Sequence, residues 1–197
     1  MGPLVGVVLA AGAGRRYGGP KAFVRTPGGP TWLERACGVL LDGGCDAVVA
    51  TVPVGGEVPS LDERVTLLPL RTSGQSESLA AALDLAVARG ASAVVVMLVD
   101  LPDVGASVVE RVVAGGVGAD SLVRAAYDGR PGHPVLIGSA HLAPLIGSLA
   151  GDAGANAYLK AHGVQLVECG DLATGVDVDR PSRSMPAATS ADDGAPT

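Results

Sequence analysis

Apolar residues in this chain come in short bursts, and the spacing within each burst sets what it can become. Residues 4–10 run apolar without a break, the pattern of a central parallel strand covered on both faces. Leu33, Ala36, Cys37, Leu40 and Leu41 then recur at helical spacing. Thr31 and Glu34 precede them at the separation of a capping box, so a helix is expected to start near Thr31 and to stop at Gly43 and Gly44. Residues 47–52 and 65–68 read as strands, the second short and suited to an edge. Leu79, Ala82, Leu83 and Ala86 share one face of a helix over 75–89, and residues 93–99 form another wholly apolar strand that ends at Asp100. Val108, Val109, Val112 and Val113 mark the next helix. Past the glycines at 115–118, strands are expected at 121–127 and 135–137 around a loop at 128–134. Two short helices and a last strand at 164–168 follow.

Strands alternating with helices predict a single α/β domain, a Rossmann-like three-layer α/β/α sandwich with a mostly parallel sheet. Ligands of such sheets bind beyond the carboxyl ends of the strands. The 197 residues, 48% of them hydrophobic, suffice for one such domain, expected over residues 1–181. Residues 182–197 are Ser, Ala, Pro, Asp and Gly with almost no large apolar side chain, which predicts a disordered tail. No apolar run approaches the roughly 18–20 residues that a bilayer requires. Met1 leads into a strand-like run with no basic leader, so the expectation is a cytoplasmic protein with no membrane role. Cys37, Cys45 and Cys169 have neither paired metal spacing nor an even count, and read as buried or near-surface thiols of a reducing compartment.

A net charge of −6 argues against a nucleic-acid partner, which would require surplus Lys and Arg. The distribution of charge changes the picture. No Asp or Glu occurs before Glu34, yet Arg15, Arg16, Lys21 and Arg25 do, so a local positive field is available to attract a small anion.

That field coincides with LAAGAGRRYGGPK, where the first strand gives way to a glycine-rich loop. Leu9, Ala10, Ala11, Gly12, Ala13 and Gly14 open it. Gly12, Gly14, Gly18 and Gly19 let the backbone approach a ligand and turn N–H groups toward an anion such as a triphosphate, with Arg15 and Lys21 supplying charge. A dinucleotide fingerprint would want a small residue where Tyr17 stands, and an acid closing the next strand where Thr51 and Val52 stand. A P-loop would want Gly, Lys and Ser or Thr in succession, whereas Pro20 precedes Lys21 and Ala22 follows it.

Asp100, at a strand end, is placed to hold Mg²⁺ (or Mn²⁺) on nucleotide phosphates. The alternative is a cap for the helix starting near Gly105, for which Asp103 is better placed. Asp177 and Asp179 alternate in TGVDVDRP and so share one side of an extended chain, with Asp179 preferred as the second metal ligand. Gly74, Gln75 and Ser78 stand at a helix start, where they can read a base or accept a phosphate. Arg130, Gly132 and His133, in GRPGHPVL, are candidates for acceptor binding, although His133 could equally brace its turn. His141 and His162 read as surface residues.

In this order the segments resemble the molybdenum cofactor nucleotidyltransferase family, whose fold is of the nucleotide-diphospho-sugar transferase type. LAAGAGRRYGGPK is similar to its N-terminal signature, LVDLPDV to its metal-binding strand end, GRPGHPVL and LAGDAGANAYL to its acceptor side, and VDVDRP to its closing acidic motif. Cytidylyl members typically carry Leu-Ala-Ala-Gly where guanylyl members carry Leu-Ala-Gly-Gly. Leu9 to Gly12 follow the former, so the resemblance implies CTP. GPKAFV is also similar to cytidylyltransferases of the methylerythritol pathway. The implied activity is Mg²⁺-dependent transfer of CMP from CTP to the terminal phosphate of molybdopterin, with release of pyrophosphate and with Arg15, Lys21 and Asp100 catalytic. Transfer from GTP and transfer to a sugar or alditol phosphate stay open. So does a non-catalytic nucleotide-binding assembly factor with a molybdoenzyme or chaperone partner.

Overall fold

In the computed structural model, which describes residues 2–26, 28–55, 59–71, 74–149 and 155–180, the unbroken apolar runs become buried strands and the periodic ones become helices. The elements are β1 (Leu4–Leu9), α1 (Trp32–Asp42), β2 (Ala47–Pro53), β3 (Val65–Leu70), α2 (Gln75–Ala88), β4 (Ala93–Leu98), α3 (Ala106–Ala114), β5 (Leu122–Tyr127), β6 (Arg130–Gly138), α4 (Ser139–Ser148), α5 (Asn156–Ala161) and β7 (Gln165–Glu168), with a 3-10 turn at Lys21–Phe23. The expected tail at 182–197 lies outside the described residues. Among the described residues no helix is long and apolar enough to cross a membrane.

The strands form one sheet in the order β3-β2-β1-β4-β6-β5-β7. Every neighbouring pair is parallel except those made by β6, which runs antiparallel to both β4 and β5. Each face of the sheet carries its own apolar core. Val8, Val48 and Met97 face Leu33 and Leu40 of α1 and Val108 and Val112 of α3. Val5, Val7 and Val94 face Leu79 and Leu83 of α2, Leu142 and Leu145 of α4, and Leu159 of α5. Burial on both faces is why β1 and β4 show no polar alternation. Gly6 lets α1 come close, since a Cβ there would lie 2.9 Å from a methyl of Leu40.

The loop expected at 128–134 is instead a tight hairpin running directly into β6. Asp128 and Gly129 have φ of 51° and 72°, the two left-handed residues of a primed two-residue turn. Pro131 and Pro134 argue against a strand because proline donates nothing to a ladder. The β5–β6 pair forms regardless, with a shift of register between Arg124 and Ala126. Elsewhere local chemistry and structure agree. Thr31 and Glu34 make a reciprocal capping box, with Glu34 N–H donating to Thr31 Oγ1 at 3.1 Å and Thr31 N–H to Glu34 Oε2 at 2.6 Å. Cys37, Cys45 and Cys169 are buried and unpaired, and burial pushes the first two thiols up to about 12, so they stay protonated and inert.

From β1 the chain crosses through α1 to β2 on one side, and from β3 it returns through α2 to β4 on the other. The connections therefore diverge between the carboxyl ends of β1 and β4, and a crevice opens there.

Candidate active site

The glycine loop forms one wall of that crevice. Ala10 is still tied to β2, its N–H donating to Thr51 O at 3.1 Å, and then the chain leaves the sheet. Among the described residues the N–H groups of Ala11, Gly12, Ala13 and Gly14 meet no acceptor, which leaves four successive backbone donors for a ligand. The outer limb behaves otherwise. Gly14 O accepts from Tyr17, Gly18 and Gly19 at 2.9, 3.0 and 3.2 Å, so the amides of Gly18 and Gly19 close the loop upon itself and do not face an anion as expected. Gly14 is required here: its φ is +57°, and a Cβ would lie 1.7 Å from Gly19 O. Tyr17 packs edge-on against Trp32, ring centroids 5.3 Å apart, and so pins the loop to the capped start of α1.

Opposite the loop, β4 lies in register beside β1, Leu9 against Leu98, which puts Asp100 across from the loop's origin. Lys21 joins the two walls. Its Nζ lies 2.9 Å from Asp100 Oδ2 and 2.9 Å from Asp179 Oδ1, with the lysine side chain 13% exposed. Burial opposes the charge on Lys21, but the hydrogen bonds to Asp179 and Asp100 win and hold its pKa above the ordinary lysine value. The hydrogen bond from Lys21 in turn holds Asp179 below the usual carboxylate range. Asp177 joins them: one carboxylate oxygen from each of Asp100, Asp177 and Asp179 lies within 4.8 Å of the others. Asp100 Oδ1 is buried with no hydrogen-bond partner. A buried carboxylate oxygen left bare costs about 1–3 kcal/mol, and it stays bare here because the Lys21 ammonium reaches only the other oxygen of Asp100.

The crevice encloses about 370 Å³, a volume suited to a small-molecule ligand. Leu9, Ala10, Ala11, Gly12, Gly14 and Arg15 line it from the loop side, with Lys21, Asp100 and Asp179 at its floor and Gln75 and Ser78 of α2 across from them. Ala13 is exposed at the loop's tip, and Gly74 sits just behind as the N-cap of α2. Neither Asp100 nor Asp103 caps α3, whose N-cap is Gly105 with no side-chain bond. Asp103 instead accepts from Thr174, at 2.6 Å from its N–H and 2.5 Å from its Oγ1.

The three acceptor-side residues separate. Arg130 is exposed at the start of β6 and lines neither this cavity nor the one beside it. Gly132 lies against the ring of Tyr127, where a Cβ would come within 2.6 Å. His133 lines a second, narrow cavity of about 60 Å³ that shares Leu9 and Gln75 with the first. Arg124, which pattern reasoning missed, reaches the same cavity. Its Nε donates to Gly132 O at 2.7 Å and its Nη1 to Asn156 Oδ1 at 2.8 Å. The signal available was one charged residue inside the otherwise apolar burst of β5. His162 is exposed, as expected, and His141 half-buried; both contact Tyr158, His141 Nδ1 lying 2.9 Å from its hydroxyl and His162 stacking on its ring at 3.9 Å between centroids.

Burial, aided by the charge of Arg124, lowers the His133 pKa to about 4. An unfolded histidine titrates near 6.5. Between those values the unfolded chain binds a proton that the folded one refuses, so stability must fall as pH drops through that window. At about 1.4 kcal/mol per unit of difference, the loss is on the order of 1–3 kcal/mol. Thermal unfolding should therefore show a falling midpoint between pH 7 and pH 4.5, with a shallower slope in His133→Asn. An unchanged slope in the variant would remove His133 as the source.

Residues 6–166 match the profile of the MobA-like NTP transferase domain. The chain is 36% identical over 194 residues to the nicotine blue oxidoreductase of Paenarthrobacter nicotinovorans, covering 89% of this chain and 92% of that one. It is 28% identical to a probable molybdenum cofactor guanylyltransferase of Mycobacterium ulcerans, covering 91% and 94%. In structure it is similar to the Rv0371c homologue from Mycobacterium sp. strain JC1, at TM-score 0.73, 31% identity and 90% coverage of both chains.

Proposed function

We propose that this chain, which belongs to the MobA-like NTP transferase family, is a cytoplasmic nucleotidyltransferase that moves CMP from CTP to the terminal phosphate of a molybdopterin-type acceptor and releases pyrophosphate. The observation that carries this is the meeting of Lys21, Asp100 and Asp179 at the floor of a cavity whose wall presents four unpaired backbone N–H groups. An ionised phosphate is already a nucleophile, so the site requires no basic side chain; its task is positioning and neutralisation of charge. One acceptor oxygen bonds to the α-phosphorus as the bridging bond to the β-phosphate breaks, and both electrons of that bond leave with pyrophosphate. The amides of Ala11 to Gly14 receive the β and γ phosphates. Arg15 and Lys21 take up the charge that grows on the leaving group. Asp100, Asp177 and Asp179 would hold a divalent cation, Mg²⁺ or Mn²⁺, and the bare Oδ1 of Asp100 fits that role. Such a cation, when bound, neutralises phosphate charge.

The choice of base rests on Leu9 to Gly12, whose Leu-Ala-Ala-Gly resembles the cytidylyl members of the family. That resemblance supports a pyrimidine nucleotide, although the mycobacterial relative is named a guanylyltransferase. A thermal-shift panel of CTP, GTP, ATP and UTP with Mg²⁺ tests it, since a ligand at 100 times its Kd stabilises by about 2.7 kcal/mol. CTP is expected to give the largest shift. A larger shift with GTP would overturn the base assignment, and no shift with any of the four would overturn nucleotide binding.

A second reading, hydride transfer to an organic substrate, is favoured by the relative named nicotine blue oxidoreductase. The same amides could cradle the pyrophosphate of a nicotinamide dinucleotide. That reading leaves three clustered carboxylates without a task, because hydride transfer needs no divalent cation. Oxidation of NADH or NADPH with no pyrophosphate release from CTP would put it in place of the first.

A further inference from the structure

We propose that Asp103 is a positioning residue for the cation site, acting through Thr174 to carry Asp177 and Asp179 to Asp100; this rests on the divalent-cation reading above. Asp177 and Asp179 stand on residues 173–179, which belong to no helix or strand. No ladder of hydrogen bonds fixes them. What holds the segment is a short series of contacts. At one end Asp103 Oδ2 accepts both the N–H and the hydroxyl of Thr174, a bond spanning 71 positions of sequence. Next, Gly175, with φ of +63°, lies flat on the ring of Tyr127, where a Cβ would come within 2.2 Å. Then Val178 N–H donates to Asp100 O at 3.0 Å. Asp177 falls between these ties and Asp179 directly after the last.

Asp103 is itself held in place. Arg35 of α1 donates to Leu101 O at 3.2 Å and to Val104 O at 3.1 Å, clamping the loop on both sides of Asp103. The position is therefore relayed from α1 to the loop, from the loop to Thr174, and from Thr174 to the two acids. The Asp103 carboxylate caps no helix, since α3 begins at Gly105 without a side-chain bond. Crowding three carboxylates is unfavourable; Lys21 holds Asp179 by a direct hydrogen bond, and loss of the Thr174 tie would free chiefly Asp177 to turn into solvent. The tether removes that freedom before a cation arrives, and outer partners of this kind typically alter metal affinity by about 10- to 100-fold.

The test uses Mn²⁺ alone as probe, with free ion followed by its paramagnetic signal and melting temperature measured without metal. Asp103→Ala should weaken Mn²⁺ binding by about 10- to 100-fold. Its metal-free melting point should change by no more than about 2–4 °C. Asp103→Asn keeps an oxygen that can accept from Thr174 and should restore most of the affinity, and Thr174→Val, which keeps only the N–H, should fall between. Wild-type affinity in Asp103→Ala overturns the positioning role and leaves the cation site standing. An Asn variant as weak as the Ala variant overturns it too, because charge and not the tie to Thr174 would then be at work. Failure of the unaltered protein to bind Mn²⁺ removes the cation site itself, and the proposal with it.

Discussion

Replacing Lys21 by Ala is expected to cut turnover by roughly 10²- to 10³-fold while making the resting protein bind a divalent cation more tightly. Both effects come from one ammonium group. At rest it lies 2.9 Å from two carboxylates and takes the place of a cation between them. With a triphosphate bound, the same charge meets the phosphates and stabilises the departing pyrophosphate. Its removal leaves three acids whose oxygens lie within 4.8 Å of one another, with the exposed Arg16, 3.7 Å from Asp179, left to offset their charge. Mutual repulsion should lower the melting point of the metal-free variant, and Mg²⁺ should raise it by more than it raises the wild type. Because the folded pKa of Lys21 lies above the ordinary lysine value, its stabilising effect is complete at neutral pH and is lost as pH rises from the ordinary lysine value through the folded one. Pyrophosphate release and a Mg²⁺ series of melting curves measure the two effects. Normal turnover in the variant would falsify the assignment of Lys21.

The second large effect is expected at Asp100, where activity and stability should move in opposite directions. Several kcal/mol of charge stabilisation depend on the cation that Asp100 would hold. At 1.36 kcal/mol per factor of ten, Asp100→Asn should lower kcat by roughly 10³-fold. The metal-free protein should nonetheless melt higher. Asp100 carries a buried oxygen with no partner and shares its surroundings with two other carboxylates, and the amide removes one charge from that group while keeping an acceptor for Lys21. A gain of about 1 kcal/mol corresponds to about 2–4 °C in a protein of this size. Sites that sacrifice stability for chemistry behave in this way. A variant that both melts lower and keeps its activity would make Asp100 a structural residue.

Much of this was legible in the residue pattern because it depends on local rules. The unbroken runs of β1 and β4, the capping box at Thr31 and Glu34, and the glycines after Leu9 each announce a conformation within a few positions. Asp100 could be picked out because a strand end in an α/β sheet has a known outlook. What escaped depends on partners far along the chain. Insertion of β6 between β4 and β5 is a choice of neighbour, and its two prolines obscured the Asp-Gly turn that announces the hairpin. Asp103 looked like a cap because its partner, Thr174, lies 71 residues away. Arg124 needed Asn156 and His133 brought beside it before it could be seen as part of a cavity. Gly18 and Gly19 look ligand-facing in the sequence because composition cannot tell which amides a loop spends on its own closure.

The contact between Tyr17 and Trp32 makes the crevice optically visible. Trp32 is the only tryptophan of the chain, and the ring against it belongs to the loop that lines the cavity. Any displacement of that loop alters the surroundings of a single fluorophore, so its emission reports on the state of this mouth alone. No label has to be introduced, and the kinetics of loop movement can be followed in the unmodified chain.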